Sequence, residues 1–269
     1  MYFIDTHTHL DMLKRLTPGE AVAKSVNEGV KYIINVGTSL EGSNKSVEFA
    51  RKFSNVFASV GVHPHDVRNF GKKEIKILQS LIQGHSGTVN NNAKERYKKV
   101  VAVGETGFDF YRNLSPRMDM ERAFVSHIEL ALEYDIPVII HDRDAHRQTL
   151  EVVKKYIDHK KFRAVVHCFS GDVNFAMQCL DLGLYISFTG MITFPNAGGV
   201  LKAVEKVPVE RLFIETDAPF LAPQAKRGKE NYPGYVRYVA EKIAEIKNLS
   251  VEEVADITSK NAKDFFSIN

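Results

Sequence analysis

The chain has 269 residues, 44% hydrophobic and 26% charged, an ordinary globular composition long enough to bury a sizeable core. No run approaches the roughly 18 apolar residues of a membrane helix, and no basic n-region with an apolar h-region opens the chain. The two cysteines, Cys168 and Cys179, form neither a CxxC pair nor a disulfide framework, and the net charge of +3 is far from a histone-like excess.

In chain order, MYFIDTHTH starts with a strand at Tyr2, Phe3 and Ile4. Alternate side chains of a strand share a face, so Asp5, His7 and His9 point the same way. Two imidazoles at i and i+2 can hold one metal ion. Thr17-Pro18-Gly19-Glu20 is a capping box with proline at N1, and Gly29 closes that helix. Strand two spans 31–37, a helix lies near 41–53, strand three spans 56–63, and 73–83 is helical. Residues 84–98 form a polar, glycine- and asparagine-rich loop, expected to be mobile and far from the chemistry. Strand four spans 99–107. Ser115-Pro116 opens a long helix with Met120, Phe124, Ile128 and Ala131 on one face. Strand five spans 136–141, with a helix to about 157. Strand six spans 162–169, then a helix ends at Gly183. Strand seven spans 184–190, with a helix near 197–206. Strand eight spans 211–217, with a helix near 232–247. A last helical stretch starts at a second capping box, Ser250 with Glu253.

Alternating strands and helices argue for a parallel sheet. Eight repeats at this length argue for an α/β (β/α)8 TIM barrel, one domain over residues 1–269. A doubly wound open sheet is the lesser alternative, since no G-x-G-x-x-G or Walker loop follows any strand.

Good metal ligands end the strands: His7 and His9 the first, Glu105 the fourth, His141 the fifth, His167 the sixth, Asp217 the eighth. In a barrel those ends meet at the face that carries active sites. Six ligands exceed what one catalytic ion uses and suit two. The expected grouping is His7, His9, Glu105 and Asp217 on one ion, with Glu105, His141 and His167 on the other, Glu105 bridging. Imidazole-rich ligation favours Zn, Mn, Co or Ni over Mg, and leaves the identity open.

DTHTHL (5–10), GVHPHD (61–66), GETGFDF (104–110), IHDRDA (140–145), HCFSG (167–171), ETDAPFLAP (215–223) and RGKENYP (227–233) resemble, in order, the blocks of the TatD family of metal-dependent deoxyribonucleases. The resemblance spans nearly the whole chain. It implies an amidohydrolase-like TIM barrel, divalent ions and hydrolysis of DNA phosphodiesters. The family's ligands fall on His7, His9, Glu105, His141, His167 and Asp217. Phe108, Phe110 and Asp142 depart from the commoner pattern without touching a ligand; at 110 a hydroxyl is lost that could contact substrate.

Two ions would lower the pKa of a shared water, with Asp217 accepting its proton as general base and Glu105 completing the catalytic pair. Arg143 and Arg227 suit bidentate phosphate recognition, and His63, ending strand three, is assigned to phosphate rather than metal. His65 reads as a turn residue after Pro64. Ser170 lacks a G-x-S-x-G elbow, and Cys168 reads as a packed residue, so neither is expected as a nucleophile. Lys226, Arg227 and Lys229 either steer DNA or form a solvated loop. The expected substrate is DNA, single-stranded or with frayed ends, cut as by an exonuclease, in the cytoplasm, with no membrane and no obligate protein partner. The alternatives are an amidohydrolase, a hydrolase of an aminoacyl ester on tRNA, and a non-catalytic binding barrel. The last has no need of six open ligands.

Overall fold

Strands covered on both faces read as near-continuous apolar runs, and the strands of this chain do. The structure, a computed structural model, describes residues 1–84 and 99–268. Its strands are β1 (Phe3–Thr8), β2 (Val30–Val36), β3 (Val56–Val60), β4 (Val100–Asp109), β5 (Val138–Arg143), β6 (Ala164–Val166), β7 (Tyr185–Phe188) and β8 (Leu212–Ile214). Every residue of β1, β3 and β4 is buried. The strands lie in chain order in one eight-stranded sheet, and a parallel bridge from Thr8 to Ala218 joins the end of β1 to the segment following β8. This is a (β/α)8 barrel; an open doubly wound sheet would reverse its strand order. The loop expected over 84–98 lies, from residue 85 on, outside the described residues.

The α-helices among the described residues are α1 (Pro18–Asn27), α2 (Leu40–Lys52), α3 (Lys72–Ile82), α4 (Arg117–Tyr134), α5 (His146–Val153), α6 (Val173–Asp181), α7 (Gly198–Lys206), α8 (Val236–Lys247) and α9 (Val251–Phe266). Both capping boxes form. The Glu20 amide donates to Thr17 Oγ1 at 3.3 Å while the Thr17 amide donates to Glu20 Oε2 at 2.8 Å. Ser250 and Glu253 repeat the exchange at 3.1 and 2.8 Å. No described helix is long and apolar enough to cross a membrane.

Several ends differ from the sequence expectation. β6 and β8 stop before His167 and Asp217, and Cys168 (φ 45°) and Asp217 (φ 53°) take left-handed backbone that regular strands do not use. β4 runs on to Asp109 because Phe108 and Asp109 pair with Asp142 and Arg143 of β5. The helix after β5 ends at Val153, short of 157.

The chain divides into two compact units, Met1–Ile34 with Val166–Asn269, and Asn35–Val165. In the first, Tyr185 stacks on Phe213 with ring centroids 4.8 Å apart, and Phe265 lies 5.2 Å from Phe213. In the second, Phe124 of α4 meets Phe108 of β4 edge to face at 5.7 Å, and Val60, Val103 and Ile140 are buried in the same unit. Each fully buried phenylalanine of this kind contributes about 1.5–3 kcal/mol relative to exposure.

Candidate metal centre

In the first unit, β1 carries His7 and His9 to its end with their Nε2 atoms 3.2 Å apart. The Asp217 amide donates to the His7 carbonyl at 2.9 Å, which fixes its carboxylate beside them: Oδ1 is 3.3 Å from His9 Nε2 and 3.8 Å from His7 Nε2. Burial pushes the Asp217 carboxyl up, but the His9 hydrogen bond and the imidazoles of His9, His7 and His167 outweigh it and hold the group below its ordinary value. His167 stacks on His7, centroids 3.9 Å apart, and its Nδ1 is 3.4 Å from Glu215 Oε1. Glu215 in turn accepts the Cys168 amide at 2.7 Å. Beneath them Asp5, fully buried, accepts the Thr216 amide (2.9 Å), the Thr216 hydroxyl (2.6 Å) and the His7 amide (3.3 Å). Desolvation raises its pKa well above the usual carboxylate value despite those bonds. Asp5 therefore ties the ligand-bearing ends of β1 and β8 together.

In the second unit, Glu105 Oε1 is 2.6 Å from His141 Nδ1 and 3.4 Å from His63 Nε2. The His65 amide donates to His63 Nδ1 at 3.1 Å, which turns the other ring nitrogen toward Glu105. Burial drops the His63 pKa to about 4, against the opposing pull of Glu105. Asp109 Oδ2 is 2.8 Å from His65 Nε2 and 3.4 Å from His141 Nε2. Burial raises the Asp109 carboxyl, but bonds to His141, the Arg112 amide and His65 leave it far below the usual range. Gly107 permits this crowding: a Cβ there would lie 2.2 Å from the His141 carbonyl oxygen, at a φ of 138° that side-chain-bearing residues rarely adopt.

The donor sets fit divalent ions. A tetrahedral ion with bonds of about 2.0–2.1 Å spaces its ligand atoms by about 3.4 Å. His7–His9, His9–Asp217 and His63–Glu105 stand at 3.2, 3.3 and 3.4 Å. Within each unit a group of two imidazoles and one carboxylate converges, His7 with His167 and Glu215 in the first, and His63 with His141 and Glu105 in the second, each with ligand atoms within 4.8 Å of one another.

Of the ligands read from the sequence, His7, His9, His167 and Asp217 come together in the first unit and Glu105 with His141 in the second. His167 was grouped with His141; here its ring packs on His7. His63, assigned to phosphate, lies within the donor set of Glu105. Arg143 is exposed at the end of β5, its guanidinium carbon 4.3 Å over the Tyr111 ring. Arg227 is exposed on the loop after β8. That loop is pinned where Asn231 donates to Thr216 O at 2.9 Å and Glu230 accepts the Lys14 and Arg15 amides. Lys226 is drawn to Tyr235 and Tyr238. Glu215 and Asp109 were not singled out; each stands near an acid already claimed, in ETD and in GETGFD, and that alternation was the available signal.

The family described as TatD related DNase matches residues 4–267. An uncharacterized metal-dependent hydrolase of Bacillus subtilis, YabD, is 35% identical over 98% of this chain and 99% of its own. A Salmonella typhimurium protein named 3'-5' ssDNA/RNA exonuclease TatD is 32% identical over 93% of this chain and 92% of its own. The crystal structure of the Escherichia coli TatD homologue YJJV superposes with a TM-score of 0.87 at 28% identity, covering 99% of this chain and 98% of that one.

Proposed function

The chain belongs to the TatD-related DNase family and is a metal-dependent hydrolase, and from that premise we propose that it cleaves phosphodiester bonds of single-stranded nucleic acid from an end, using two divalent ions. The observation that carries this reading is the doubled donor set. His7, His167 and Glu215 are one such group and His63, His141 and Glu105 are another, with His9 and Asp217 beside the first. One ion has no use for so many ligands. When bound, divalent ions lower the pKa of water and offset charge building on phosphate oxygens.

The chain's own residues do the rest. His7, His9, His167 and Asp217 would hold an ion in the first unit, and Glu105, His141 and His63 would hold one in the second. Asp217, kept ionised by its imidazole neighbours, accepts the proton of the attacking water. Arg143 and Arg227 engage phosphate through paired N–H groups. The exonuclease name of the Salmonella relative supports a 3′-to-5′ direction on single strands.

The test is hydrolysis of 3′- and 5′-labelled single-stranded oligonucleotides by metal-stripped protein resupplied separately with Mg, Mn, Co and Zn. Metal-dependent shortening is expected, with a progressive ladder from the 5′ label. A protein that takes up two ions yet cuts no strand with any metal moves the assignment to amide or aminoacyl-ester hydrolysis.

A further inference from the structure

The segment that leaves β4 next to Asp109 displays apolar surface instead of hiding it. Tyr111 is 63% exposed, Leu114 54% and Met118 82%. Single exposed apolar residues need no explanation, but three within eight residues of one segment do. The segment is held on both sides. The Phe110 amide donates to Arg143 O (2.9 Å), the Arg112 amide to Asp109 Oδ1 (2.7 Å), the Asn113 amide to Asp109 O (3.2 Å), and the buried Ser115 hydroxyl to His65 O (2.7 Å). Tyr111 is thus presented by a fixed backbone. Its ring is backed by the Arg143 guanidinium at 4.3 Å, while Arg117 lies 4.0 Å from the Phe110 ring. Among the described residues, Arg112, Arg117 and Arg143 form no ion pair with a carboxylate.

We propose that Tyr111, backed by Arg143, is a stacking platform for a base of single-stranded nucleic acid, with Arg112 and Arg117 taking the neighbouring phosphates. The proposal rests on the phosphodiester reading and adds to it the group that grips the base. Single strands are held by positive charge along the backbone and by aromatic faces under the bases, and this segment offers both. A guanidinium behind the ring strengthens the stack. Asp109 joins the platform to the ligand cluster, since one oxygen holds His65 and the other the Arg112 amide. Tyr111 follows Asp109 by two residues, a backbone span of at most about 7 Å, which keeps the platform close in the chain to the ligand cluster.

The test is binding of fluorescent 12-mers in chelator, so that no strand is cut, at fixed salt of about 0.1 M. One strand carries bases; the other has the same backbone without them. The wild-type protein should bind the strand with bases more tightly. Tyr111→Ala should lose about 5- to 150-fold of that preference, and Tyr111→Phe should keep it. Equal binding of both strands by the wild type, or an unchanged preference in Tyr111→Ala, overturns the platform; metal-dependent shortening by the wild type then shows the nuclease reading still standing. A wild type that binds neither strand and shortens neither overturns both. Circular dichroism of Tyr111→Ala checks that its fold is intact.

Discussion

Glu105 lies between two glycines on a wholly buried strand, and its oxygen is the meeting point of two imidazoles. Glu105→Ala should lower turnover by at least about 10²-fold, the upper end of what loss of even a ligand-orienting group costs. The circular dichroism spectrum should not change. Full activity in that variant would refute a ligand role for Glu105. Histidine ligands must be neutral to bind metal, so activity should fall as pH drops below about 6, near the ordinary imidazole value. A rate that stays flat to pH 4 would remove histidine-held metal from the mechanism. At this scale residue type made most of the site legible, since His, Glu and Asp at strand ends have few structural uses. The carboxylates of Glu215 and Asp109 were not legible, because only the turn at Cys168 and the pairing of β4 with β5 aim them at imidazoles.

Helix α4 is joined to the end of β3 through one buried histidine. The Val62 amide donates to His127 Nε2 at 3.1 Å, and His127 Nδ1 donates to the Ala123 carbonyl at 2.7 Å. The Val62 bond requires the neutral ring, since protonation would set an N–H against the Val62 N–H, while the bond to Ala123 is kept in either state. Burial accordingly lowers its pKa from 6.5 to about 4. Between those values the unfolded chain binds the proton and the folded chain does not, so stability is full above about 6.5 and is lost as pH falls toward 4. The span corresponds to about 3 kcal/mol. Urea midpoints measured from pH 7 to 4.5 should fall accordingly, and His127→Gln should flatten the slope; equal slopes would sink the assignment. Ser250→Ala, which removes one arm of the α9 capping box, should cost about 1 kcal/mol in the same assay. The caps were legible because their side chains and partners lie three residues apart in sequence. Strand ends were less so. β6 and β8 stop early beside left-handed backbone that composition does not carry, and β4 extends because β5 offers it partners.

Across the whole molecule the ligands are gathered from residues 7 to 217, so metal should stabilise the fold and not merely one loop. Free metal at about 100 times its dissociation constant adds about 2.7 kcal/mol per ion, or roughly 5–10 °C in melting temperature for a chain of this size. Calorimetry of metal-loaded and chelated protein should read that difference, and identical melting points would argue against tightly held ions. The eightfold alternation of strand and helix made the barrel legible before any coordinate was known. The place of His167 was not, since its ring packs on His7. The first unit is also assembled from the two ends of the chain. His7 O waits for the Asp217 amide, Asp5 for Thr216, and Tyr2 O for the Ser259 hydroxyl. On a ribosome adding roughly 5–20 residues per second, that interval is about 10–40 s. Through it the edge of the first strand that will meet the segment after β8 stands unpaired, a template for pairing with other chains. Asp5, His7 and His9 break the apolar run of that nascent strand, so two residues placed to grip metal also interrupt a stretch that would otherwise favour such pairing.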